Sequence, residues 1–333
     1  MTSSKRSTRQ PARPEFVPRR RFLHTAARAG ALLAWGGFSG PAKAATQAAP
    51  PGGMLASGRP SATAQGAALL RAAHQVLDEP RIFVDPLALK VVGPEAALAL
   101  TLDSERFQGR RSLRAFVALR SRYAEDRLAG AIDRGIGQYV VLGAGLDTFA
   151  YRNPYRGLRV FEVDHPATQK WKQQRLAQAG IATPGSLTYV PVDFEVETLA
   201  DRLRVSGFRE GEPAYFSLLG VAIYLTKPAL MDTFSFIASL ASGSEIVFSY
   251  SVPSEMLTVA QRQARETAAQ RVAAIGEPWI SYYDPDALAA EMEALGFGDL
   301  HDLGPADANA RYFQSRTDGL RVSGGGRLMA ARV

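Results

Sequence analysis

The sequence contains no cysteine, which excludes disulfides, thiolate metal sites and a cysteine nucleophile. Its four histidines, His24, His74, His165 and His301, are scattered without H-x3-H or HExxH spacing, so no catalytic zinc is expected. No apolar run approaches the ~20 residues that cross a bilayer, so no membrane span is expected. There is no G-x4-G-K-[ST] loop, which argues against a nucleoside triphosphate. A basic surface is missing too. The formal net charge is +7, from 39 basic and 32 acidic residues. Residues 1–50 hold nine of the basic side chains against Glu15 alone, leaving 30 basic and 31 acidic residues elsewhere. The folded part therefore offers no stripe for nucleic acid.

What is present begins with a leader. Arg19-Arg20-Arg21-Phe22-Leu23 precedes a glycine-containing apolar stretch, Ala29–Phe38, and the small-residue site Pro41-Ala42-Lys43-Ala44. That is the order of a signal peptide over residues 1–44. Its R-R-x-F-L core resembles a twin-arginine signal, read by export machinery that carries folded proteins. Export to the periplasm is the expectation; a cytoplasmic chain with a basic tail is the alternative. Residues 45–60 are rich in Ala, Pro and Gly and read as a linker.

From residue 61 the pattern is that of one α/β domain. Ser61 is a candidate N-cap for a helix to about Leu77, and Asp85-Pro86 for a short helix ending at Gly93-Pro94. A long helical pattern runs from Arg111 to Arg134. Strands are expected at Tyr139–Leu142, Arg159–Val163, Leu187–Val192, Ala214–Leu219 and Glu245–Tyr250, alternating with helices such as Pro166–Ala179 and Lys227–Leu240. Two helices, about Glu255–Ala274 and Asp284–Leu295, and strands near Gly298–Leu303 and Gly326–Ala331 complete the chain. The expected architecture is a doubly wound, mostly parallel seven-stranded sheet, residues 136–333, under a helical cover, residues 61–135.

The segment Gln138–Arg152, Q-Y-V-V-L-G-A-G-L-D-T-F-A-Y-R, reads as a buried strand, a glycine turn and the start of a helix. Such turns bring backbone close to a nucleotide, and an acid on the next strand takes the ribose. Thr148 stands where a dinucleotide fingerprint needs its third glycine. Asp147 stands where a pyrophosphate would meet the helix. A carboxylate there suits an ammonium group, and S-adenosylmethionine, which carries one and has no phosphate, fits best. Glu162 and Asp164, two apart near a strand end, share a face and either or both could hold ribose hydroxyls. Asp193 with Phe194, ending the third strand, is placed for the adenine.

The chain resembles the leucine carboxyl methyltransferase-like family of class I S-adenosylmethionine-dependent O-methyltransferases, which includes the tetracenomycin-type polyketide enzymes. The resemblance rests on S-A-T-A-Q-G-A-A-L-L-R-A (Ser61–Ala72), I-F-V-D-P-L-A (Ile82–Ala88), L-R-S-R-Y-A-E-D (Leu119–Asp126), V-L-G-A-G-L-D-T (Val141–Thr148), F-E-V-D-H-P (Phe161–Pro166), V-D-F (Val192–Phe194), G-V-A-I-Y-L-T (Gly220–Thr226) and R-Y-F-Q-S-R-T-D-G-L (Arg311–Leu320). It implies methyl transfer to a carboxylate or hydroxyl of a small molecule. It also implies that Arg120 pairs with the cofactor's methionine carboxylate, that Gly143 and Gly145 form the turn beneath it, and that Arg71 lies in a segment closing over that end. Two positions depart from the family: Leu219, commonly an acid, and Glu125, commonly Asp.

His165 and Tyr224 are the candidates for catalytic side chains, though His165 could equally cap the next helix and Tyr224 could be core. Asp147 could likewise be a helix N-cap. With no paired His and Asp to act as base, a carboxylate or acidic enol or phenol acceptor is favoured over an alcohol. A nicotinamide-dependent oxidoreductase is the alternative by fold, and an impaired cofactor-binding homologue the alternative raised by Leu219. The leader carries its own prediction: fractionation finds the wild-type chain exported, whereas Arg19→Lys with Arg20→Lys holds it in the cytoplasm. Equal retention of both overturns the export reading.

Overall fold

The computed structural model describes residues 60–102, 107, 109–193 and 197–333. The leader and all but the last residue of the linker lie outside that range, as does Phe194. The cover begins where a serine cap predicts. Ser61 Oγ accepts from the Ala64 N–H (3.2 Å) at the start of α1, Ala62–Leu77. Two further helices, α2 (Ala88–Val92) and α3 (Pro94–Leu102), and the long α4 (Arg111–Asp133) complete it. Alanines at 68, 72, 73 and 88 let α1 and α2 pack closely, with Leu100, Leu146 and Leu176 filling the gaps.

The sheet takes the order β3-β2-β1-β4-β5-β7-β6. Its first five members are parallel: β1 (Gln138–Leu142), β2 (Arg159–Asp164), β3 (Leu187–Pro191), β4 (Tyr215–Leu218) and β5 (Glu245–Ser251). The last two, β6 (Gly298–Leu303) and β7 (Gly326–Arg332), pair antiparallel, and β7 sits between β5 and β6. Alternate strand residues feed two cores, as the two-residue period demands. Val140, Phe161, Phe216 and Phe248 face one side, with Leu230, Phe234 and Ile237 of α7 (Lys227–Ala238). Tyr139, Val141, Tyr215 and Val247 face the other, with Ala115, Leu119 and Tyr123 of α4. The remaining helices are α5 (Pro166–Gln178), α6 (Leu199–Val205), α8 (Val259–Ala274), α9 (Pro285–Ala294) and α10 (Pro305–Tyr312).

Two local expectations are corrected. The glycine turn after β1 does not open an α-helix; it leads into one 3-10 turn, Phe149–Tyr151, and then a loop to β2. Asn153-Pro154 explains the stop, since proline disfavours helical backbone in the residue before it, and Asn153 Oδ1 instead accepts from the Tyr155 N–H (2.9 Å). The helix expected from Glu255 is divided. A 3-10 turn at Ser254–Met256 ends before Thr258, which caps α8 reciprocally with Gln261, so two orphan N–H groups are satisfied at the new start.

Phe234 is fully buried, its ring 4.8 Å from Phe248 and 6.3 Å from Phe297. Phe234→Ala is expected to cost about 3–5 kcal/mol of stability, read as a lowered urea midpoint.

Candidate functional site

The parallel strands end on one side of the sheet, and the strand order reverses beside β1, where open α/β sheets bind ligands. A cleft opens there between the carboxyl ends of β1, β2 and β4 and the cover helices α1 and α4. Arg71, Arg120, Gly143, Gly145, Asp147, Asp164, His165 and Tyr224 all line it. The structure brings these eight sequence-predicted residues together along one cleft.

Its floor is the glycine turn, folded back on β2 by the Gly143 and Ala144 N–H groups, which donate to Val163 O (2.9 and 3.1 Å). Gly143 has φ +68°, and a Cβ there would stand 2.5 Å from Val221 Cγ2. Asp164 is fixed by two backbone donors: Gly145 N–H to Oδ2 (2.6 Å) and His165 N–H to Oδ1 (2.7 Å). Burial pushes its pKa up while those donors pull it down. Each oxygen keeps a second lone pair for a ligand hydroxyl.

Arg120 supplies the positive end. Among the described residues no hydrogen bond or ion pair engages its guanidinium. Burial, helped by the like charge of Arg71, lowers its pKa to about 10 against the opposing pull of Tyr224 and Asp147. It lies against Gly220, where φ is +77° and a Cβ would come within 2.3 Å of Nη1. A side chain at 220 would displace the cation. Arg71, by contrast, is engaged within the wall: its Nε donates to Asp85 Oδ2 (2.7 Å) and Nη2 to Leu146 O (2.5 Å). Asp147 Oδ1 accepts from the Phe149 N–H (2.8 Å), so it organises the turn and lines the cleft at once.

Glu162 is not a cleft residue. Its carboxylate is fully buried beneath α5, with Oε2 2.6 Å from Lys172 Nζ and Oε1 without a hydrogen-bond partner among the described residues. It shares a face with Asp164 but lies two residues deeper, about 6.6 Å down the strand, where the helix covers it. Asp193 does not line the cleft either. Its N–H donates to Glu197 Oε2 (3.0 Å), and the Glu197 N–H returns to Asp193 O (2.9 Å).

His165 caps α5: Nδ1 accepts from the Ala167 N–H (3.2 Å). Tyr224 ends a 3-10 turn, Ala222–Tyr224, and its hydroxyl accepts from Trp279 Nε1 (3.1 Å). Burial pushes its phenol pKa up. Leu219 lines the cleft as part of an apolar wall. Glu125 takes a forked ion pair from Arg152, Oε2 to Nη1 at 2.7 Å, away from the cleft lining.

Sequence reading missed Asp85, whose carboxylate also accepts from Thr148 Oγ1 (2.8 Å) and the Leu87 N–H (3.0 Å). It was read as a helix cap, because no local signal reports a partner 63 residues away. The buried Lys172 had a signal: it sits between Thr168 and Leu176 on one helix stripe, where a cation needs a partner. Chemically, the cleft asks for an anion at Arg120, a cation near Asp147 and hydroxyls at Asp164. An amino acid joined to a ribose satisfies all three; a phosphate facing two carboxylates does not.

The comparisons with known proteins concern the family and the fold. The model of the leucine carboxyl methyltransferase family matches residues 64–238. A Bacillus subtilis (strain 168) protein, YktD, assigned as an S-adenosyl-L-methionine-dependent methyltransferase, is 38% identical over 207 residues, 60% of this chain and 67% of its own. One from Mycobacterium avium (strain 104), assigned likewise, is 31% identical over 75% of this chain and 83% of its own. A solved Thermobifida fusca structure, 18% identical, covers 80% of this chain and 93% of its own with a TM-score of 0.49.

Burial outweighs the Lys172 charge at Glu162 and pushes its pKa up from 4.5 to about 7. Between those values the folded protein holds a proton that the unfolded chain has released, so stability from this group falls as pH rises. Urea midpoints should therefore drop from about pH 4.5 to 7 in the wild type relative to Glu162→Gln. A pH-independent difference between the two would contradict the assignment.

Proposed function

The chain belongs to the leucine carboxyl methyltransferase family and is an S-adenosylmethionine-dependent methyltransferase, and we propose that it methylates an oxygen of a small molecule that reaches the cleft already ionised, foremost a carboxylate. S-adenosyl-L-methionine, when bound, supplies a methyl group on a sulfonium, open to in-line displacement. Arg120 would hold its carboxylate, Asp147 its ammonium group and Asp164 its ribose hydroxyls, above the turn of Gly143 and Gly145. Arg71 would act at one remove, fixing the Leu146 carbonyl beside Asp147. Asp193 has no support from the cleft lining for the adenine contact expected of it.

The observation that carries the acceptor class is that, among the described residues lining the cleft, each group able to act as a base is already engaged or taken up by the cofactor. The Nδ1 lone pair of His165 is engaged by the Ala167 N–H. The phenol of Tyr224 has a raised pKa and would resist ionisation at neutral pH. The lone pairs that Asp164 and Asp147 keep beyond their backbone donors go to the cofactor's ribose hydroxyls and ammonium group in this reading. An alcohol would have to lose its proton without help, whereas a carboxylate or acidic phenol has none to lose at neutral pH. Methyl transfer then needs chiefly that the nucleophile be held against the methyl carbon. Leu219, Val221 and Leu225 supply the apolar, water-excluding wall for that contact.

Two measurements test the reading. Calorimetry should find S-adenosylmethionine binding that Arg120→Ala weakens about 10- to 100-fold, the worth of hydrogen bonds to a charged group. An acceptor panel should show turnover of carboxylates or acidic phenols, with a rate that stays flat above their own pKa. Turnover of unactivated alcohols alone would overturn the acceptor assignment, and failure to bind the cofactor would overturn the site.

A further inference from the structure

Glu277 lies two residues past the cap of α8 and is fully buried, yet its carboxylate serves the other end of the chain. Oε1 accepts from the Ala62 N–H (2.9 Å), and Oε2 from the Thr63 N–H (3.0 Å). These are the first two N–H groups of α1, which have no partner within their own helix. Ser61 Oγ takes the third, from Ala64. A carboxylate here also faces the positive end of the helix dipole.

The turn so held belongs to the cleft. Ser61, Thr63, Ala64 and Ala67 line it, and Ala64 Cβ comes within 3.0 Å of where a Cβ on Gly145 would be. The residues after Glu277 extend the connection to the opposite wall. Trp279 donates to the Tyr224 hydroxyl, the Ile280 N–H to Ile223 O (2.9 Å), and the Tyr283 N–H to Ser251 O (2.9 Å). One stretch, 277–283, thus joins the first turn of α1 to the turn after β4 and the end of β5. Further along, α1 is anchored independently, through Arg71 to Asp85 and Leu146. Loss of the Glu277 contacts would free the first turn and leave the rest of the helix in place.

Resting on the methyltransferase reading of the cleft, we propose that Glu277 is a positioning residue: it clamps the first turn of α1 across the cleft and thereby sets how firmly the cofactor is retained. It touches neither cofactor nor acceptor; it acts through the α1 backbone.

The test uses the full chain and three readouts. In Glu277→Ala, amide hydrogen exchange at 62–67 accelerates while exchange at 70–77 does not change. The Kd of S-adenosylmethionine and the KM for it rise about tenfold, a fraction of the worth of two charge-assisted hydrogen bonds because the carboxylate acts on the cofactor only through the α1 backbone, with the acceptor KM unaltered. Glu277→Gln, which keeps an acceptor oxygen, falls between wild type and Ala, and gives the same comparison if the Ala variant does not fold. Faster exchange at 62–67 with unchanged cofactor Kd in either variant would make Glu277 a helix cap only and overturn the proposal. Wild-type protein that fails to bind S-adenosylmethionine would instead overturn the reading beneath it.

Discussion

The carboxylate of Asp85 is the constraint on which the cleft depends. It is 2% exposed, and a buried charge of that kind is tolerated only when paired and hydrogen-bonded. Arg71 comes to it from α1, Thr148 from beyond the glycine turn, and the Leu87 N–H from its own loop. Arg71 then reaches past it to Leu146 O. Three segments remote in sequence meet at one charge, and the wall between Gly145 and Thr148 is where they meet. This also explains how the turn stays ordered without a helix behind it. In a doubly wound fold the helix after the first strand normally holds the loop by its own backbone ladder; here Asp85 and Arg152, whose guanidinium lies over the Phe83 and Phe149 rings, hold it from the side.

The same device recurs within the cover and at its seam with the sheet. Asp78 receives Arg114 on both oxygens and lies 2.8 Å from His74 Nδ1; desolvation opposes its ionisation, but these partners hold its pKa below the ordinary value. Glu245, at the start of β5, is fully buried and takes Arg127 of α4 and Arg134 at that helix's C-cap. Within the sheet layers the contacts are apolar and aromatic. The cover is joined to the sheet by directional bonds as well as by packing. Apolar layers tolerate small slides; forked ion pairs do not, so α4, which carries Arg120 into the cleft, is held in place by bonds with fixed angles.

Much of this was legible in the sequence, for local reasons. Caps announce themselves within three residues, as at Ser61 and Asp284, and a mostly parallel sheet with helices on both faces follows from the alternation of patterns. The acids at strand ends were legible as a set because the fold brings successive carboxyl ends together. Depth was not legible. Glu162 and Asp164 differ by one pleat, and only the position of α5 decides that one meets solvent while the other meets Lys172. Nor were partners separated by hundreds of residues: Glu277 pairs across 215 positions with the α1 backbone, and no short-range pattern encodes that. The missing helix after β1 was signalled by Asn153-Pro154, which the pull of the glycine motif overrode.

The placement of β7 has a consequence for how the molecule comes into being. It lies between β5 and β6, although both precede it in the chain. Among the described strands, β6 pairs only with β7, and one flank of β5 awaits the same partner. As the chain leaves the ribosome, residues 298–303 and the flank of residues 245–251 that faces away from β4 are therefore out before residues 326–332 can join them. An open hydrogen-bonding edge in the middle of a future sheet is a template for the wrong neighbour. Until residues 326–332 emerge and slide into that slot, the nascent molecule has five of its seven strands able to pair, a cleft already outlined, and an unprotected flank.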